Sequence, residues 1–117
     1  MGELIMLLFH ARTAAHVMHL RTRSYAAHKA LNEFYDELVD LADSLAESYQ
    51  GRYELITDFK APVPSMAEPL ELMDMLRKYI ATHRYTVAKR EDTELQNMID
   101  EIVSLIDSTT YKLKFLR

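Results

Sequence analysis

The chain has 117 residues, with 14 Lys and Arg against 18 Asp and Glu, so its formal net charge at pH 7 is −4. This length is that of one domain, and the negative balance argues against general nucleic-acid binding. No cysteine is present, which excludes disulfides and thiolate metal sites. The apolar run over residues 4–9 is too short to span a bilayer. We therefore expect a cytoplasmic protein with no membrane partner.

The first half of the chain predicts two helices. Residues 3–49 contain neither glycine nor proline, and their apolar residues recur at spacings of three and four. This pattern predicts helices over about 3–21 and 25–49, with Ser24 as the N-cap of the second. One continuous helix over 3–49 is the alternative, because no strong helix breaker lies between the two. Gly51 is expected to end the second helix as a C-cap.

The second half predicts a long connection and two more helices. Residues 52–64 look extended, and at about 3.3 Å per residue they reach roughly 40 Å, the length of the preceding helix. Ser65 and Glu68 form a capping-box pattern at the start of a third helix over about 66–88, and a fourth helix follows over about 93–115. We therefore predict an all-α, single-domain four-helix bundle. Its topology is expected to be ferritin-like, with a long crossover between helices 2 and 3.

Charge is segregated between the first two helices. Between Glu3 and Glu33 the chain has no acidic residue but four of its five histidines, and an acidic segment follows. Guanidinium groups and a helix N-terminus are suited to phosphate, with histidines as hydrogen-bond partners. The candidate ligand-binding residues are Arg12, His16, His19, Arg21, Arg23, Tyr25, His28 and Lys29. The structural alternative is that Arg21, Arg23 and Lys29 pair with the acidic helix of a neighbouring subunit.

The second helix resembles that of the Dps mini-ferritins. His28 is followed by Tyr35-Asp36-Glu37-Leu38, then by Asp43 and by Ala46-Glu47, at offsets that match the spacing of the family's iron ligands. The resemblance implies a ferritin-like fold and an iron site formed by His16 or His19, His28, Asp43 and Glu47, with ferroxidase activity. Imidazole and carboxylate ligands suit Fe(II), and two such sets facing across a dimer would form a diiron-type site. The alternative is that the carboxylates form a solvated helix face.

Three segments also resemble small uncharacterised proteins of tailed phages: His-Ala-Arg-Thr at 10–13, the stretch 25–36, and Glu-Ser-Tyr-Gln-Gly at 47–51. This resemblance implies a phage origin and a role in counter-defence or host takeover. We expect a homo-oligomeric, non-catalytic protein that requires no cofactor and captures a small anionic ligand, such as a nucleotide immune signal, to sequester it. The alternatives are a Dps-like iron-binding protein and a structural or protein-binding scaffold.

Overall fold

A computed structural model describes residues 1–63 and 68–116. They form four α-helices: α1 (Gly2–Arg21), α2 (Tyr25–Arg52), α3 (Pro69–Val87) and α4 (Thr93–Phe115). The predicted all-α four-helix bundle is confirmed. A turn at 22–24 separates α1 from α2, which rules out one continuous helix over 3–49. Within the described ranges, no helix is both long enough and apolar enough to cross a membrane.

Of two predicted ends of α2, the N-cap is confirmed and the C-cap is wrong. Ser24 is the N-cap of α2, because its Oγ accepts a hydrogen bond from the Ala27 N–H at 3.2 Å. The predicted C-cap at Gly51 is wrong, since α2 continues through Gly51 to Arg52. The extra turn is stabilised from outside the helix, where the Arg52 guanidinium contacts the buried Asp92 carboxylate at 2.9 Å.

The start of α3 is described only in part. Ser65 of the predicted capping box and the predicted first residue of the helix, at 66, lie outside the described residues. The described helix begins at Pro69, a residue suited to the first helical position because its missing N–H would have no partner there. Glu68 is the N-cap, and its side chain makes no capping hydrogen bond.

The helix directions follow from side-chain contacts at the two ends of the bundle. Arg52 at the end of α2 contacts Asp92 at the start of α4. Glu33 near the start of α2 forms a salt bridge with Lys112 near the end of α4, at 2.8 Å. Helices α2 and α4 are therefore antiparallel. The short link between α3 and α4 makes them antiparallel as well. Helices α2 and α3 are therefore parallel, and the chain between them must cross the length of the bundle, as the ferritin-like prediction requires.

The crossover packs closely on the start of α1. A Cβ atom placed on Gly2 would meet the carbonyl carbon of Asp58 at 2.7 Å, so only glycine fits this approach. The Ile56 N–H donates to Gln50 Oε1 at 3.0 Å. Further along, residues 61–63 line a groove with side chains of α1 and α3. The crossover is therefore held by contacts along its described length.

A buried amide holds the α3–α4 corner. Gln96 donates from Nε2 to the Ala88 carbonyl at 2.9 Å and to the Arg84 carbonyl at 3.2 Å, and its Oε1 accepts from Arg84 Nε at 2.9 Å. The bond to the Ala88 carbonyl gives a partner to a backbone group just beyond the end of α3, whereas the Arg84 carbonyl also accepts from the Ala88 N–H. The core of the bundle is formed by fully buried side chains of all four helices, mainly leucine and isoleucine.

Candidate functional site: the α1–α2 turn

Two histidines join the end of α1 to the start of α2. The His19 and His28 rings stack with centroids 3.7 Å apart and planes inclined by 20°. Each Nδ1 lies against the backbone carbonyl oxygen of the other residue, at 2.7 Å from His19 and 2.9 Å from His28. Because a carbonyl oxygen can only accept, each Nδ1 must donate, which leaves both Nε2 atoms for other partners. The reciprocal bonds therefore fix the tautomer of both rings.

A second aromatic pair extends this arrangement along the α1–α2 interface. His16 stacks on Tyr35 with centroids 4.3 Å apart and planes inclined by 16°. The Tyr35 hydroxyl donates to Asn32 Oδ1 at 2.6 Å, and its ring meets His19 edge-on. His16 and His19 are thus held in place by rings of α2 as well as by α1 itself. Such aromatic pairs add about 0.5–1.5 kcal/mol each beyond their buried area.

A concavity of about 350 Å³, the turn pocket, lies beside the stacked histidines. Its volume is within the usual range for small-ligand sites. Tyr25 is 74% exposed, so a face of its ring is open to a ligand, and Lys29 Nζ lies 5.8 Å from the centre of that ring. The lining residues are His19, Tyr25, His28, Lys29, Asn32 and Glu33.

The N-terminus of α2 gives this region a positive potential. Ser24 satisfies the Ala27 N–H, and the His28 N–H donates to the Ser24 carbonyl. The amides of Tyr25 and Ala26 have no acceptor within the helix. The first turn contains no acidic residue, so nothing there offsets the partial positive charge of the helix end.

One carboxylate lies among the lining residues. Glu33 accepts a hydrogen bond from Lys112 Nζ at 2.8 Å. That hydrogen bond, with the positive charges of Lys112 and Lys29, lowers the pKa of Glu33 below its ordinary value. The carboxylate is therefore ionised at neutral pH, and its charge is partly offset by a lysine on α4.

The structure brings four of the eight predicted ligand-binding residues together. His19, Tyr25, His28 and Lys29 line the turn pocket, whereas Arg23 is exposed in the turn itself. The remaining three lie elsewhere. Arg21 lines a separate concavity of about 180 Å³ with residues at the start of α3. Arg12 and His16 lie further back along α1, with Arg12 roughly 10 Å along the helix axis from His19.

The predicted metal ligands do not meet within one chain. Asp43 is fifteen and Glu47 nineteen positions beyond His28 on the same helix, which places them roughly 22 Å and 28 Å away along its axis. Within the described residues, no three His, Asp or Glu side chains are grouped as a metal site requires. The nearly parallel planes of His19 and His28 also keep their ring lone pairs from converging on one ion. An iron site that uses His16 or His19 with these carboxylates would therefore need a second subunit.

Sequence reasoning did not include Asn32 and Glu33, which line the turn pocket, or Tyr35, whose buried ring packs on His16 and His19 beside it. Tyr35 follows His28 at a spacing of seven, which places both on one face of α2. Asn32 lies between them, and its amide accepts the Tyr35 hydroxyl. The helical spacing from His28 was therefore a signal that could have identified Tyr35 and Asn32.

Comparison with known proteins identifies the family. A family model described as "Family of unknown function (DUF5856)" matches residues 19–113. The chain is also 29% identical over 112 residues to an uncharacterized 14.6 kDa protein from the mobD-ri intergenic region of Enterobacteria phage T4, an alignment that covers 95% of this chain and 85% of that protein. No solved structure matches the chain significantly. The predicted resemblance to uncharacterised phage proteins is confirmed, while no match supports the Dps resemblance. Because the family model covers most of its residues, this chain belongs to the DUF5856 family.

Proposed function

We propose that this protein is a non-catalytic phage-type binding protein that captures a phosphate-bearing small ligand, of the nucleotide class, in the turn pocket. The observation that supports this most directly is the composition of the pocket. Stacked imidazoles and an open tyrosine ring lie beside a lysine and the N-terminus of a helix that has no acidic residue in its first turn. These are groups that bind a ring and a phosphate together.

Each group has a distinct role in this proposal. The Lys29 ammonium and the free Tyr25 and Ala26 amides bind the phosphate. The exposed ring of Tyr25 stacks on the base. The Nε2 atoms of His19 and His28 are the polar atoms left to contact the base or sugar, because both Nδ1 atoms are already engaged.

The shape of the surface leaves room for more than one ring. A second concavity of about 320 Å³ also has Tyr25, Lys29 and Glu33 in its lining and extends to Lys112 of α4 and to Leu116 just beyond that helix. The shared residues follow one another at spacings of four, so they form a single row on α2 with a concavity on either side. A nucleotide bound at Lys29 could therefore extend to both sides of the row.

In this proposal the ligand is captured without being converted. In an infected cell, such capture would lower the free concentration of a host signalling nucleotide, which is the counter-defence role that we propose. We also expect the protein to self-associate.

A thermal-shift and calorimetric titration with AMP, a cyclic mononucleotide, a cyclic dinucleotide and inorganic phosphate tests the proposal. A ligand at 100 times its dissociation constant stabilises the native state by about 2.7 kcal/mol, or roughly 10 °C for a domain of this size. Lys29→Ala is expected to weaken nucleotide binding about tenfold or more. Lys60→Ala, at an exposed lysine of the crossover, is the matched control and should have no effect.

Tyr25→Ala tests recognition of the base separately from recognition of the phosphate. Loss of base stacking should weaken nucleotide binding by about tenfold and leave the binding of inorganic phosphate unchanged. If no nucleotide binds, or if Lys29→Ala and Lys60→Ala behave alike, the proposed function is wrong. A shift with Fe(II) alone, lost in the Asp43→Ala, Glu47→Ala double variant, would favour the iron-binding alternative. No shift with any compound would favour the scaffold alternative.

A further inference from the structure

The turn pocket contains a carboxylate that phosphate binding does not explain. Glu33 lies about two helical turns from the N-terminus of α2 and lines the same concavity as Lys29. Its side chain is 52% exposed, and its Oε2 atom accepts from Lys112 Nζ at 2.8 Å. In the described part of the chain, Glu33 Oε1 accepts no hydrogen bond. An ionised carboxylate repels phosphate, so it favours a ligand that brings hydrogen-bond donors to this end of the pocket.

Apart from its lysine and its tyrosine, the turn pocket presents mostly acceptors to a ligand. Both imidazole Nδ1 atoms donate to backbone carbonyls, so in the neutral rings the Nε2 atoms of His19 and His28 can only accept. Glu33 adds the free lone pairs of its carboxylate. Asn32 is the exception, because its Oδ1 accepts from the Tyr35 hydroxyl at 2.6 Å, which leaves its NH₂ group as a donor. The pocket therefore places one amide donor beside several acceptors.

Among the nucleobases, guanine fits this set of groups best. Its N1–H and its 2-amino group are adjacent donors that one carboxylate can accept together, and the neighbouring O6 is an acceptor for an amide N–H. Adenine has one donor group, the 6-amino group, next to the N1 acceptor, which a carboxylate repels. Cytosine and uracil likewise lack two adjacent donor groups. A carboxylate beside an amide donor therefore distinguishes guanine from the other bases.

We infer that the turn pocket selects guanine nucleotides, an inference that rests on the proposed function and adds the identity of the base to it. The Glu33 carboxylate accepts from N1–H and the 2-amino group of guanine, and the Asn32 amide donates to O6. Glu33 lies eight residues beyond Tyr25, about 12 Å along α2, and one concavity of about 350 Å³ has both residues in its lining. A base stacked on Tyr25 can therefore direct its edge towards Glu33 while the phosphate contacts Lys29.

Calorimetric titration of the wild type with GMP, IMP and AMP tests the base preference, because the three ligands share the same ribose phosphate. IMP lacks only the 2-amino group of GMP, whereas AMP also has an amine in place of O6 and an acceptor in place of N1–H. GMP is expected to bind about tenfold more tightly than AMP, with IMP between them. Inorganic phosphate measures the contribution of the phosphate contacts alone.

Glu33→Gln tests the carboxylate. A glutamine amide can accept from the 6-amino group of adenine and donate to its N1, so GMP binding should weaken about tenfold while AMP binds at least as tightly as before. Glu37→Gln is the matched control, because it removes the same charge one turn further along α2, at an exposed residue outside the turn pocket. It should leave the ratio of the GMP and AMP dissociation constants unchanged. Asn32→Ala should weaken GMP and IMP about fivefold, since both have O6, and leave AMP unchanged.

The outcomes distinguish the base preference from the capture of phosphate. If GMP and AMP bind equally and Lys29→Ala weakens both, the guanine preference is wrong and the proposed function stands. A GMP preference that survives Glu33→Gln, or that Glu37→Gln abolishes to the same extent, would overturn the role of Glu33 in selecting the base. If no nucleotide binds, the guanine preference and the proposed function are both wrong.

Discussion

The stacked histidines at the α1–α2 turn allow a prediction of how their contributions to stability combine. His19→Ala removes one ring, its hydrogen bond to the His28 carbonyl, and the stack. The bond from His28 to the His19 carbonyl survives, because the acceptor is backbone. His28→Ala has the mirror-image effect. The double variant loses two hydrogen bonds but only one stack, so the two substitutions should not be additive.

The expected size follows from these losses. With about 1 kcal/mol for each hydrogen bond and about 1 kcal/mol for the stack, each single variant should lose about 2 kcal/mol and the double variant about 3 kcal/mol. The coupling free energy is therefore about 1 kcal/mol, and it measures the stack alone. In a domain of this size, a single substitution should lower Tm by roughly 8 °C.

Urea unfolding followed by circular dichroism at pH 8, above the ordinary titration range of imidazole, gives the four free energies of the cycle. The control cycle pairs His19→Ala with His83→Ala, at a histidine of α3 near the opposite end of the bundle, and should show no coupling. Additivity of His19→Ala and His28→Ala within 0.3 kcal/mol, taken as about the limit for independent sites, would refute the reasoning.

Four further predictions concern the fold. Gly2→Ala should destabilise the protein by about 1–3 kcal/mol, because its Cβ would meet the crossover backbone. Gly51→Ala should stabilise α2 by about 0.5–1 kcal/mol, because an added Cβ would meet no atom within 4 Å apart from its chain neighbours and the backbone of its own helix. Burial, with a hydrogen bond to Glu3, raises the pKa of Tyr79 to about 12. The protein should therefore lose stability as pH rises from about 10 towards 12, and Glu3→Gln should reduce this loss and lower the pKa of Tyr79, as measured by tyrosinate absorbance. Gln96→Ala should cost about 2–3 kcal/mol in urea unfolding, because the Ala88 carbonyl loses its side-chain donor and Arg84 Nε loses its acceptor.

Each of these predictions has an outcome that contradicts it. Equal effects of the two glycine substitutions would show that the crossover does not press on α1. A Tyr79 titration that is unchanged in the Glu3→Gln variant would remove the carboxylate as a cause of the raised pKa. For Gln96, the control is Asn97→Ala at an exposed neighbouring position, which should change stability by less than about 0.5 kcal/mol. A comparable loss there would exclude a special role for the buried amide.

The helices could be predicted from the sequence because their limits are encoded locally. The turn at 22–24 and the N-cap at Ser24 were identified from residue type and spacing alone. The crossover followed from a length argument that requires no contact to be known. The end of α2 could not be predicted at Gly51, because the helix is extended by Arg52 contacting Asp92, a residue distant in sequence.

The candidate site was predictable in composition but not in arrangement. Charge segregation identified residues 10–29 as the basic stretch, and four of the eight residues selected there line one pocket. The packing of α3 and the crossover determines which of the predicted residues lie outside the turn pocket. Arg21 lies towards Glu68 at the start of α3, and no local pattern shows that neighbour. The His19–His28 stack likewise depends on the exact geometry of the turn.

The order of the helices along the chain has a consequence for synthesis on the ribosome. Glu33 of α2 and Lys112 of α4 are bonded in the folded protein although they are 79 positions apart in sequence. The apolar side of α2, with Phe34 and Leu38 at its centre, therefore has no complete partner surface until α4 emerges. At about 5–20 residues per second, that interval is on the order of several seconds. During it the nascent chain exposes the surface that chaperones recognise, so cooperative folding must wait until α4 has left the exit tunnel.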